Sequence, residues 1–169
     1  MGILDGKVAI ITGASRGIGA EIARRFGAAG AAVAAAARTA EPGSYQLDGS
    51  ISETVDDIRT AGGTAVPIRV DLSKPEERER LVAEATAQLG TPDILVSNAA
   101  VTYFTPVMDF TPKRYDLMFE VQVVGPFHLA QLVVPGMRDK GAGLTGNGCV
   151  GQVCSPGISL CGMGRSSTL

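Results

Sequence analysis

The residues Thr12-Gly13-Ala14-Ser15-Arg16-Gly17-Ile18-Gly19 stand between a short apolar run and a helical pattern. Glycines there permit backbone angles and close approach that a β-carbon forbids. A helix N-terminus offers unpaired N–H groups and a partial positive charge, which suits a diphosphate. The same residues also fit a glycine-rich strand–helix turn with no ligand. Further along, the second apolar run ends Ala37-Arg38-Thr39, with no carboxylate at its tip, and Arg16 lies in the glycine turn. In a dinucleotide site an acid at that tip takes the ribose diol, whereas a base takes a 2′-phosphate. Two guanidiniums around one phosphate would give charge-assisted contacts. The competing description is two solvated surface charges, and Glu41 is the nearest acid. Asp71 and Asn98 close two later apolar runs; each fits either a ligand contact or an ordinary turn or cap. The lone His128 sits mid-helix as a packed or solvated residue. Cys149, Cys154 and Cys161, spaced five and seven apart, match no zinc pattern. No metal site is expected.

These residues need elements to position them. At 169 residues, with 45% hydrophobic and 19% charged side chains, the chain suits one globular domain. Short apolar runs at 7–12, 32–38, 64–70 and 93–97 read as strands, with Pro67 marking the third as an edge. Helical patterns occupy 17–29, 52–61, 75–89 and 111–134. In the first, Ile18, Ile22 and Phe26 define one apolar face. Ser73 and Glu76 read as a capping box for the third helix, and residues 41–50 as a loop. The last helix is apolar nearly all round and must be covered on both sides. Alternating strands and helices predict an α/β, doubly wound parallel sheet with helices on both faces. A net charge of −2, with no basic block, gives no support for nucleic acid or an anionic membrane. The early apolar run at 8–11 is too short for a span, and no leader pattern is visible; a cytoplasmic protein is expected. Composition breaks near residue 141. The segment 141–169 holds eight glycines, all three cysteines, no Asp, Glu or Lys, and one Arg.

Four stretches in register make this sequence resemble the classical short-chain dehydrogenase/reductase family. They are the Thr-Gly-x-x-x-Gly-x-Gly turn, Val70-Asp71-Leu72, Ser97-Asn98-Ala99-Ala100 (for the usual Asn-Asn-Ala-Gly), and the run from Phe119 to Gln131. The resemblance covers residue 5 to about 143. The loop at 41–50 is similar to an insertion in the citronellol/citronellal dehydrogenase-like and hydroxysteroid dehydrogenase-like branch. The resemblance implies a Rossmann-type domain over 1–143, incomplete at its C-terminal side. It implies NADP(H) in preference to NAD(H), held by Gly13, Ser15, Arg16, Gly17, Ile18, Gly19, Arg38, Thr39, Asp71, Leu72, Asn98, Ala99 and Ala100. Tyr103, Phe104 and Met108 are expected either to line the substrate side or to serve as packing. It also implies a small alcohol or carbonyl substrate and self-association through the helix at 111–134.

In such enzymes a Tyr hydroxyl moves the proton, a Lys four residues on lowers its pKa, a Ser orients the carbonyl, and an Asn on the long helix holds a water. Here Tyr45, Tyr103 and Tyr115 are followed four residues later by Gly49, Val107 and Phe119, so no Tyr-x-x-x-Lys exists in the sequence. Gln122 stands at the Asn position and is the one catalytic candidate. From residue 144 the sequence has too many glycines for a good strand, so 144–169 is expected to be an irregular tail, leaving the fourth strand an open edge. Asn147 and Cys149 fall near the family's Asn and Ser positions by coincidence, and Ser155 and Ser159 have no supporting base. A foreign, out-of-frame tail and a genuine short relative are the two explanations. Three functions stand: an NADP(H) oxidoreductase, an inactive dinucleotide-binding remnant or partner subunit, and a non-functional product.

Overall fold

The computed structural model describes residues 2–43, 48–141 and 143–147. Five parallel strands form one sheet in the order β3-β2-β1-β4-β5. They are β1 (Val8–Thr12), β2 (Ala32–Ala37), β3 (Thr64–Arg69), β4 (Ile94–Ser97) and β5 (Leu144–Asn147). The helices α1 (Gly17–Ala28), α2 (Ile51–Thr60), α3 (Pro75–Leu89), α4 (Pro112–Phe119) and α5 (Gly125–Asp139) connect them. The expected doubly wound architecture is therefore the one observed, with Pro67 on edge strand β3 as its missing N–H requires.

Strand residues alternate between two cores, as a period of two dictates. Ile10, Ala34 and Leu95 point to one face and pack with Leu81, Leu129 and Val133 of α3 and α5. Ala9, Ile11, Val33 and Ala35 point to the other and pack with Ala23, Val55 and Ile58 of α1 and α2. Burial on both faces explains why strands with no polar alternation are stable here. It also lets the alanines of β2, intrinsically better in helices, sit in a central strand.

Three expectations are corrected. The buried face of α1 is Gly19, Ala20, Ala23 and Gly27, while Ile18 is 71% exposed. Small residues let this helix lie close to its neighbours; a Cβ on Gly27 would collide with Ile58. Ile22 and Phe26 only flank that core. The N-cap of α3 is Lys74, with no side-chain cap bond, and the Ser73 hydroxyl donates to Asp71 instead. Residues 144–147 are not irregular: they pair in parallel with β4, Ile94 opposite Leu144 and Ser97 opposite Asn147. The edge of β4 is thus covered. The remainder of the expected tail, 148–169, with its three cysteines, Ser155 and Ser159, lies outside the described residues, as does Tyr45.

The last helical stretch runs over Pro112–Asp139, beyond the expected end at 134. By length and composition it is apolar enough to cross a membrane, a feature that the short early run gave no hint of. Its Leu129, Val133 and Met137 side is packed into the sheet core. Between α4 and α5 the segment Glu120–Val124 widens into a π turn. Pro126 follows at once and has no N–H to return to the Gln122 carbonyl, so the α ladder is broken at this place.

Candidate active site

The strands of a parallel sheet point their C-terminal ends one way, and that edge is where the singled-out residues gather. β1 ends in Thr12, which is buried. Its hydroxyl donates to the Val96 carbonyl at 3.3 Å and accepts the N–H groups of Asn98 at 3.0 Å and Ala99 at 3.2 Å. Asn98 answers from β4, with Nδ2 donating to the carbonyls of Thr12 at 3.1 Å and Gly13 at 3.4 Å. These five bonds clamp the glycine turn onto the end of the central strands. They also explain two of its glycines. A Cβ on Gly13, whose φ is +69°, would sit 2.8 Å from the Ala99 Cα, and one on Gly19 would overlap the Gly13 carbonyl and the Asn98 amide. Asn98 thus serves the turn itself, and Thr12, quoted only as part of the motif, is a positioning residue that motif reading passed over.

The N-cap residue of α1, Arg16, makes no side-chain cap bond, and no acid stands in the helix's first turn. The Arg16 guanidinium donates from Nη2 to the Thr39 hydroxyl and to the Gly49 carbonyl, both at 3.1 Å. It therefore ties the glycine turn to the end of β2 and to the loop that follows. Thr39 is buried, and Arg38 beside it is exposed. Asp71, past β3, accepts at Oδ1 from the Ser73 N–H at 3.1 Å and hydroxyl at 2.8 Å, an Asx turn. Burial works to raise its carboxyl pKa. The two Ser73 donors and the charges of Arg38 and Lys74 outweigh burial and hold it below the ordinary carboxylate range. Its own N–H donates to Glu77 at 2.7 Å.

Together these ends enclose a cleft of about 400 Å³. Of the expected contacts, Gly13, Ser15, Arg16, Arg38, Thr39, Asp71, Leu72, Asn98, Ala99 and Ala100 line it. Gly17, Ile18 and Gly19 open α1 outside that lining. Val70, Val101, Thr102, Leu117 and Val121 also line it and were not foreseen; as ordinary apolar or small residues they carry no motif, and only strand ends and helix position mark them. Tyr103 lines the cleft, its ring covered by the Arg114 guanidinium 5.2 Å from its centroid. Phe104 and Met108 do not; they are 98% and 93% exposed. Gln122 approaches from behind, its Oε1 accepting the Val101 N–H at 2.9 Å. The Gln122 side-chain oxygen thus fixes the backbone at Val101.

A glycine turn bound to β4, a guanidinium at the β2 tip and an acid past β3 define a dinucleotide-type α/β cleft. Residues 7–150 match the family profile described as short chain dehydrogenase. The chain is 39% identical over 141 residues to the 7alpha-hydroxysteroid dehydrogenase of Escherichia coli, covering 83% of this chain and 52% of that protein. It is 37% identical over 139 residues to versicolorin reductase 1 of Aspergillus parasiticus, covering 82% and 50%. A metagenomic short-chain oxidoreductase crystallised with NADP superposes with a TM-score of 0.77 at 34% identity, over 85% of this chain and 62% of that one. This chain belongs to the short chain dehydrogenase family of oxidoreductases. It spans about half the length of the curated relatives it matches.

Proposed function

We propose that this chain binds NADP(H), in preference to NAD(H), in the cleft at the C-terminal edge of the sheet. The observation that carries the proposal is the convergence there of the clamped glycine turn, Arg38 with Thr39, Asp71 and Asn98. The cradle fits the group: α1 begins with no cap bond from its N-cap side chain and no acid in its first turn, which leaves its N-terminus suited to an anion. The α1 N-terminus with Gly17, Ile18 and Gly19 faces the diphosphate, Arg38 and Thr39 take the 2′-phosphate, and Asp71 with Leu72 borders the adenine. Ala99 and Ala100 border the nicotinamide ribose. When bound, the nicotinamide supplies the hydride of an alcohol/carbonyl interconversion. The residues that line the cleft position it, and no Tyr-x-x-x-Lys lies within this sequence.

The best-supported function is therefore dinucleotide binding, in a chain of the oxidoreductase family that spans about half the length of its curated relatives. A stripe of exposed apolar side chains at Tyr115, Phe119, Val123 and Phe127 supports self-association through this helix. Titration with NADPH and with NADH, followed by nicotinamide fluorescence, tests the proposal. Saturable NADPH binding, tighter than that of NADH, supports it. Binding of NADH alone overturns the cofactor preference, and binding of neither overturns the proposal.

A further inference from the structure

Arg78 is the largest fully buried side chain outside the hydrocarbon core, 1% exposed on α3. Its Nη2 donates to Glu120 Oε1 at 2.8 Å, while Nε and Nη1 meet no acceptor among the described residues. A buried guanidinium with two idle donors is a poor way to gain stability, since desolvation offsets much of the attraction. Its location points to something else. Glu120 is the first residue of the π turn, and Gln122, two residues on, is fixed to the Val101 N–H in the cleft wall. Val121 between them lines the cleft, as does Leu72, which leads into α3. Gly125 ends the turn so close to this junction that a Cβ there would lie 3.0 Å from the Glu120 carbonyl and 3.5 Å from both Arg78 Nη1 and the Leu72 carbonyl.

A π turn holds one residue more than the α ladder, so closing it to α geometry would rotate one flank against the other by about 100°. Such a rotation would swing Gln122 off Val101. We infer that the Arg78–Glu120 ion pair is a positioning device. It braces the π turn against α3, so that Gln122 holds the Val101 segment and shapes the end of the cleft beyond Asn98. Neither Arg78 nor Glu120 lines the cleft. The consequence for nucleotide binding rests on the function proposed above; the consequence for the Val101 amide does not.

The test uses the full chain with both charges replaced, Arg78→Met with Glu120→Leu, because an apolar pair of similar volume commonly preserves or raises stability. Amide exchange followed by NMR should show the Val101 N–H losing about tenfold protection while Ile10 and Leu95 in the sheet keep theirs. NADPH affinity should fall about tenfold, with adenosine 2′,5′-bisphosphate, which fills only the adenosine half, changed less than twofold. Glu120→Gln, which keeps an acceptor for Arg78, should retain most of the Val101 protection. Unchanged Val101 exchange in the double variant overturns the inference, as does a parallel loss across the sheet and for both ligands, the signature of a merely structural pair. If the unsubstituted chain binds neither ligand, the nucleotide proposal fails, and Val101 exchange still decides this one.

Discussion

Thr12→Val removes one oxygen and nearly nothing else. The side chains are isosteric, Thr12 is 1% exposed, and the β-branched shape suits the strand. The oxygen, however, accepts the N–H groups of Asn98 and Ala99 and donates to Val96. Each orphaned buried donor costs about 1–3 kcal/mol. Asn98 and Ala99 are only half-buried, which puts the pair toward the low end, about 2–3 kcal/mol together. In a chain of this size that is a fall in Tm of roughly 4–12 °C. Thr12→Ser is the control: it keeps the hydroxyl and gives up one methyl, costing about 1 kcal/mol. Urea and thermal unfolding of the three proteins, with NADPH titration of each, is the assay. The expected order of stability is wild type, then Ser, then Val, with NADPH binding weakened most in the Val variant. If Val is as stable as Ser and binds NADPH equally, the clamp is not what seats the glycine turn.

Replacing Arg38 with Leu should weaken NADPH by roughly 10–150-fold, the equivalent of one lost charge-assisted contact of about 1.5–3 kcal/mol, and leave NADH nearly unchanged; parallel fluorescence titrations check this. At the opposite end of the sheet, Asp93 is buried against the Val8 N–H, Lys140 and Lys7. Burial works to raise its pKa, but the Val8 and Lys140 bonds and the two lysine charges hold it below the ordinary 3.8. Because the folded-state pKa is the lower one, this contribution is present above 3.8 and is lost as pH falls through the folded-state value. Asp93→Asn should lower the urea midpoint at pH 7 and flatten its decline between pH 5 and 3. Phe127, 58% exposed on the apolar stripe, should drive association; Phe127→Glu should shift sedimentation toward monomer and remove the dependence of Tm on protein concentration.

What could be read from the amino acids was whatever depends on local spacing. The run–turn–helix of residues 8–28, the glycine-terminated helices and the edge position marked by Pro67 follow from backbone chemistry, which acts on neighbours in the chain. Much of the cleft lining was legible for the same reason: it sits at strand ends, and strand ends are marked by Gly, Asp and Asn. What escaped depends on partners remote in sequence. The Ile18, Ile22 and Phe26 stripe looked like the core face of α1, yet close approach to α2 selected the Gly19, Ala20, Ala23 and Gly27 side. Residues 144–147, with Gly146 among them, looked unfit for a strand, but an open neighbour in β4 supplies the hydrogen bonds. Nothing local distinguishes Arg78 from Arg80 two residues on; only the fold buries the first and leaves the second at the surface.

The central claim is that the glycine turn at the C-terminal edge of the sheet receives the diphosphate of a nicotinamide dinucleotide. Amide chemical shifts of the ¹⁵N-labelled chain, recorded as NADP⁺ is added, test it most directly. The account expects saturable shifts at Gly13, Ser15, Gly17, Ile18 and Gly19, with Gly62 and Gly90 at the far ends of α2 and α3 unmoved. An unmoved glycine turn at saturating NADP⁺, or shifts confined to the opposite edge, would contradict it.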